Sequence, residues 1–411
     1  TSLFALCVAL LVVWWLAKFE VLLLSGQTQG ILFILVIGAA TDYSLLLVAR
    51  FREELRHTDD RWRAVGSAWR GSFEPILASG GTVIAGLLCL LLSDLKSNST
   101  LGPVAAIGIV FAMLAALSFL PAMLGLFGRV AFWPRRPVYD ADLALHPDPL
   151  EGNGLWQRLA RGIRRRPRMI WIATTVVLAV AAIGVVQLKA DGVPQSDLVL
   201  GASEARDGQE VLGEHFPGGS GSPVYVLVEA DRMQDAADVL LADDGVDGVS
   251  VTAEDSPSGS APVTADGITA FGPPGTPAPE PTEVDGNVLL QGTLTAAADS
   301  AEAEQTVADL RAELTPLDAK LGGVTATAVD TNTASIHDRN LIIPVILVVI
   351  LLILMLLLRA ILAPVLLILT TVLSFGSAMG VSALVFNGIF QFPGADPAVP
   401  LFGFVFLVAL G

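Results

Sequence analysis

Charged side chains are scarce in this chain. Asp, Glu, Lys and Arg make up 16% of its 411 residues, against about 25% in an average soluble domain. That scarcity argues against a soluble protein with a hydrated surface. Cysteine is nearly missing as well. Cys7 and Cys89 each sit in an apolar run, so no disulfide framework or metal site is implied. No Walker A motif occurs, which argues against ATP as an energy source. Nor is there a nucleophile elbow, a metal-ligand cluster or a Gly-rich dinucleotide turn. The opening run lacks the basic segment and small-residue cleavage site of a signal peptide. Thr1 and Gly411 both fall inside apolar runs, so the chain reads as a piece of a longer polypeptide.

What the chain has in excess is hydrophobic length, with 53% hydrophobic residues. Crossing roughly 30 Å of hydrocarbon at 1.5 Å per residue takes about 20 apolar residues. Eight candidate spans meet or approach that length: 1–24, 29–49, 76–95, 102–127, 169–188, 341–358, 361–386 and 399–411. The expected organisation is a first helical block (1–128), a basic cytoplasmic linker (129–168), one span (169–188), an extracytoplasmic domain (189–340) and a second helical block (341–411).

Orientation follows from positive charge, which cytoplasmic loops retain. Arg50, Arg52, Arg56, Arg61, Arg63 and Arg70 follow the second span, and a run from Arg129 to Arg168 follows the fourth. Both segments are assigned to the cytoplasm of a cytoplasmic-membrane protein. The region 190–337 then lies outside, with 26 acidic residues and four basic ones (Arg206, Arg232, Arg311, Lys320). The net charge of −16 therefore belongs to the external domain and argues against nucleic-acid binding.

The external domain reads as α/β. Strands are expected at 222–230, 245–253, 286–296 and 323–331. Helices are expected at 231–243 and 300–318, the second capped by Ser300, with another near 203–215. The order predicts a split βαβ sandwich. Residues 256–285, rich in Pro, Gly and Ser, read as a long mobile hairpin excursion.

One stretch stands out within the apolar runs: "IGAATDYSLLL", residues 37–47, which carries Asp42 and Tyr43. The last span repeats its pattern. Laying "VFLVALG" on "ILVIGAA" puts Gly411 opposite Ala40, so a second Asp-Tyr pair is expected just beyond Gly411. Repeated halves with coupling sites at their interface are a common transporter design.

Here a resemblance enters. "GAATDYSLLLVARFREELR" (38–56) resembles the Asp-Tyr signature of the MMPL (mycobacterial membrane protein large) family of the RND superfamily. "AVGSAWRGSFEPILASGGTVIAGLL" (64–88) is similar to that family's cytoplasmic helix and following span. The resemblance covers essentially the whole chain, from the third to the tenth span of a twelve-span protein. It implies an RND-like repeated bundle with a porter-like external domain. It further implies an exporter driven by protons, with no other cofactor, whose cargo is a lipid or another hydrophobic or amphipathic molecule. Partners would be the membrane, and a second copy or accessory cell-envelope proteins. Two alternatives remain open: a lipid-sensing or scaffold protein on the same architecture, and an RND-type drug efflux pump. The biased composition suits an actinobacterium.

In this reading Asp42 is the proton carrier and Tyr43 hydrogen-bonds the opposite carboxylate. An ionised carboxylate at mid-bilayer is unfavourable by about 2.5–3.5 kcal/mol, so such groups mark ion or proton paths. Adjacent residues on a helix point about 100° apart, so Asp42 and Tyr43 cannot face each other. The competing reading is a structural polar contact between packed helices. Gly38, Ala39 and Ala40 are expected to allow close helix approach near the pair, as are Gly376 and Gly380 in the seventh span. Ser79 and Gly80 open the third span near the cytoplasmic side and are candidates for a substrate path. Asp94 and Lys96 read as a solvated pair, His337, Asp338 and Arg339 as interfacial anchors, and His57 as solvated.

Overall fold

The computed structural model describes residues 1–139, 155–190, 192–194, 199–270 and 276–410. The chain divides into two compact units. One comprises residues 1–190, 335–392 and 398–411, and the other residues 191–334 and 393–397.

The first unit begins with α1 (Ser2–Lys18), α2 (Gly26–His57) and α3 (Arg61–Leu88), the last continued by a 3₁₀ turn to Leu92. Then come α4 (Lys96–Leu114), a π-helical turn (Ala115–Phe119), α5 (Leu120–Phe127), α6 (Leu155–Arg165) and α7 (Pro167–Ile183). Ser25 caps α2, its hydroxyl accepting from Thr28 N at 3.1 Å. Asp60 caps α3, accepting from Trp62 N at 2.9 Å. With these caps both helices outrun their apolar cores. The structure begins α3 at Arg61 and not near residue 76, because the polar segment 61–75 stays helical beyond the hydrocarbon.

The second unit holds α8 (Glu204–His215), β1 (Val224–Glu229), α9 (Met233–Ala242), β2 (Val246–Thr252), β3 (Ser260–Thr264), β4 (Gly267–Ile268), β5 (Asn287–Leu294), α10 (Ala301–Leu314) and β6 (Lys320–Gly322). Its sheet runs β4-β3-β2-β5-β1-β6, antiparallel throughout. β5 lies between β1 and β2, and β1 lies between β5 and β6. Two split βαβ units therefore interlock, β1-α9-β2 and β5-α10-β6. β1 and β5 alternate buried and more exposed positions, and Val226, Val228 and Leu290 enter a core with Leu240, Val307 and Leu310 from α9 and α10. Ser300 caps α10 as expected, accepting from Ala303 N at 3.2 Å. Arg311 of α10 forks onto Asp330, and that carboxylate pushes the guanidinium pKa above its ordinary value.

One expectation fails here. The segment 323–331 is helical and not a fourth strand. The edge strand ends at Gly322, Gly323 turns with φ +120°, and α11 (Val324–Leu358) starts at once. Thr327 and Thr331 donate back to the carbonyls of Gly323 (2.9 Å) and Thr327 (2.8 Å), so the Thr–Ala alternation is absorbed into helix. Joined to a long apolar helix, the segment follows the cooperativity of that helix over its own β propensity. The Pro/Gly/Ser excursion does contain a hairpin, with Val263 of β3 opposite Ile268 of β4. β3 and β4 extend the sheet from β2, with Val249 opposite Val263. Thr282 N returns to Thr252 O at 2.8 Å. Residues 271–275 of that excursion lie outside the described residues, as do 140–154 of the linker.

α12 (Leu362–Val385) and α13 (Val399–Leu410) complete the first unit. Among the described residues, six helical segments are long and apolar enough to cross a membrane: those beginning at Gly26, Arg61, Lys96, Pro167, Val324 and Leu362. α1 is a shorter apolar helix of 17 residues, and α13 has 12. This is a multi-pass membrane protein. Its main core joins Ala5 and Val13 of α1, Leu35 and Ala40 of α2, Val83 of α3, Ile109 of α4, Ile346 of α11 and Phe404 of α13. Gly108 sets the α2–α4 separation, since a Cβ there would meet Val36 Cγ2 at 2.5 Å. α7 and α12 touch backbone to backbone, since a Cβ on Gly380 would lie 2.0 Å from Ala181 O.

Candidate functional site

The middle of α2 carries the Asp-Tyr pair, and its two members diverge as helix geometry requires. Tyr43 is buried, 5% exposed, in the main core with Ala39 and Ala40 of its own helix and Phe404 of α13. Ser79 of α3 is a polar neighbour of its phenol. Asp42 is exposed on a neighbouring face of α2, about 100° round the helix. Among the described residues its carboxylate has no hydrogen-bond or ion-pair partner. Beside it Thr41 meets Ser2 of α1, hydroxyl to hydroxyl, at 3.2 Å. Chemically this is a lone carboxylate in an apolar belt, one residue from a phenol with a hydroxyl beside it.

The other expected site residues fall near this point. Ala39 and Ala40 are buried, and Gly38 is half-buried. Ser79 of α3 lies beside Tyr43. Gly80 is buried against α4, where a Cβ would come 2.1 Å from Met113 Sδ. Gly411, which was aligned with Ala40, lies outside the described residues. Gly376 and Gly380 serve packing between α12 and α7. No group of three or more His, Cys, Asp and Glu is placed to hold a metal ion among the described residues.

Asp338 departs most from expectation. It is not an interfacial anchor but a fully buried carboxylate, 0% exposed. Ser93 Oγ donates to it, Asp94 N donates at 3.0 Å and Asn98 Nδ2 at 3.3 Å. It thereby pins α11 to the turn that opens α4. Asp94 faces His337, 3.9 Å away, and both are exposed; it forms no pair with Lys96. His57 is exposed, as expected. The polar string "SIHDRN" ahead of an apolar run carries no signal of burial, because the burial comes from another helix.

Two further devices sit at the other end of the bundle. Arg129 donates to the carbonyls of Leu55 (2.7 Å), Thr58 (3.1 Å), Asp59 (3.2 Å) and Pro137 (3.2 Å), and to Asp59 Oδ1 at 2.8 Å. It closes the C-terminus of α2, where counting positive charges sees only one more arginine. Trp69 Nε1 donates at 2.9 Å to the carbonyl of Leu117, whose helical donor position four residues on is Pro121, which has no N–H.

Residues 1–170 and 202–411 match the MMPL family. The chain belongs to the MMPL family. Among its relatives are two membrane proteins of Streptomyces coelicolor. SCO0839 is 48% identical over all of this chain and 55% of its own length, and ActII-3 is 42% identical over 99% and 53%. The apo-petrobactin exporter of Bacillus anthracis is 28% identical over 94% of the chain and 51% of its own length. The chain thus spans about half the length of the curated relatives it matches. Among solved structures, SecDF, a translocon-associated membrane protein from Thermus, aligns over 92% of this chain and 41% of its own, at 15% identity and a TM-score of 0.44.

Proposed function

We propose that this MMPL chain is the central part of a proton-driven exporter. Its cargo is a lipid or another hydrophobic or amphipathic molecule, and protons are the coupling ion with no further cofactor. The observation that carries the reading is Asp42, a carboxylate without a partner in the middle of a membrane helix. In hydrocarbon the charged form is disfavoured, so the group gains by binding a proton or by meeting a partner across a helix interface. One proton moving through 100 mV releases about 2.3 kcal/mol, a roughly fiftyfold bias on a conformational equilibrium. Tyr43, beside Ser79, is the hydrogen-bonding partner through which the proton state of the opposite repeat reaches the packed core. Gly80 then serves close packing, and Ser79 serves the tyrosine.

The name of the Bacillus relative favours a second reading, in which the cargo is a small molecule such as apo-petrobactin and not a lipid. The test is Asp42→Asn in the full-length protein, with export of lipids and of small molecules measured beside thermal stability. Lost export at unchanged stability supports the proton reading. Full export without the carboxyl overturns it. Joint loss of folding and export points to a structural contact.

A further inference from the structure

The short helix ahead of α7 carries its charge on one side only. α6 (Leu155–Arg165) turns by about 100° per residue. On that wheel Leu159 and Ile163 lie about 40° apart. Arg158, Arg161, Arg164 and Arg165 fill an arc of about 120° centred opposite them. Leu159 is 53% exposed and Ile163 46%, so the described residues bury neither apolar side chain. Arg158, Arg164 and Arg165 are exposed as well. From 155 to 188 the sequence has six arginines and no acidic residue. Asp140, Asp142, Asp148 and Glu151 of the linker precede the helix and lie outside the described residues.

What meets this surface follows from chain continuity. Arg166 alone separates α6 from α7, which begins at Pro167 and opens a segment of 21 residues long and apolar enough to cross a membrane. Proline disfavours the helical conformation in the residue before it. Arg166 departs from that conformation, at φ −137° and ψ 55°, so α6 and α7 are separate helices. The end of α6 therefore stands where α7 enters the bilayer, and positive charge assigns that level to the cytoplasmic side. Trp171, exposed near the start of α7, suits the same interface. Helices with a basic face and an apolar face lie in the interface plane. Clusters of basic residues just cytoplasmic of a span attract anionic headgroups. Retention of positive charge inside accounts for the number of arginines, but not for their segregation from Leu159 and Ile163.

We propose that α6 lies flat in the cytoplasmic interface and binds anionic phospholipid. Leu159 and Ile163 enter the acyl region, and Arg158, Arg164 and Arg165 take the phosphates. This does not depend on the export reading. The test uses the full-length protein in nanodiscs of phosphatidylcholine and phosphatidylglycerol. In a Cys7→Ala/Cys89→Ala background, spin labels on Ile163→Cys and on Arg164→Cys are probed with oxygen, which concentrates in lipid, and with a nickel chelate, which stays in water. The label at 163 favours oxygen and the label at 164 favours the chelate. Native mass spectrometry counts retained lipid with the two phospholipids in competition. Arg158→Gln with Arg165→Gln weakens phosphatidylglycerol retention about twenty-five-fold, roughly fivefold for each charge at the surface. Arg63→Gln, whose charge Asp60 already pairs at 3.6 Å, changes it less than about twofold. The proposal is overturned if the label at 163 is as open to the chelate as the label at 164, or if protein covers it and excludes both reagents. It is also overturned if the double arginine variant keeps the parent's preference for phosphatidylglycerol, or if the parent has none.

Discussion

Removing the Asp338 carboxylate is the sharpest structural perturbation available in this bundle. Asp338→Ala deletes the acceptor for three donors: Ser93 Oγ, Asp94 N and Asn98 Nδ2. Ser93 has a substitute nearby, the Leu95 carbonyl at 3.3 Å. Asp94 N and the buried Asn98 amide have none, and each orphaned donor is unfavourable by about 1–3 kcal/mol. The expected loss is therefore about 3–5 kcal/mol, within the range for breaking a buried charged network. Asp338→Asn keeps the shape and one acceptor oxygen but turns an amide toward donors, so about half that loss is expected. Asn98→Ala removes only one donor and leaves the carboxylate two others, for a loss of about 1 kcal/mol. The assay is thermal unfolding of the full-length protein in one detergent, with the Asp338→Ala/Asn98→Ala double variant closing a cycle. A coupling of about 1–2 kcal/mol is expected between residues sharing a network. If Asp338→Ala melts with the parent, the buried network does not hold α11 to α4, and the reasoning fails.

Other outcomes follow from the same geometry. Gly380→Ala drives a Cβ into the Ala181 carbonyl and should lower stability by about 2–3 kcal/mol. Gly376→Ala, one turn away and 3.5 Å from the Ala182 Cβ, should stay within about 0.5 kcal/mol, and matched melting curves check both. Arg129→Ala frees the carbonyls that end α2 and should cost about 2–3 kcal/mol. Arg129→Lys should recover less than half of that, because an ammonium cannot fork between so many carbonyls. Hydrogen exchange at 55–59 reads the same loss locally.

The hydrophobic runs, the first βαβ unit and the helix of the second were legible because each rests on local period. Apolar runs of about 20 residues have one solution in lipid. Ala303, Val307 and Leu310 recur at helical spacing and do bury. The divergence of Asp42 and Tyr43 also followed from helix geometry. What stayed hidden depends on distant partners. Thr325, Thr327 and Thr331 looked like strand until the long helix after them claimed the segment. Asp338 looked like a surface charge because its donors lie some 240 positions away.

The central claim is that the Asp42 carboxyl binds and releases a proton in the membrane. Infrared difference spectroscopy on the full-length protein in lipid, with ¹³C-labelled aspartate and Asp42→Asn as the blank, follows its C=O stretch directly. A protonated-carboxyl band that comes and goes with pH and is missing in Asp42→Asn is the result expected. A carboxylate that stays ionised across the working pH range would contradict the account.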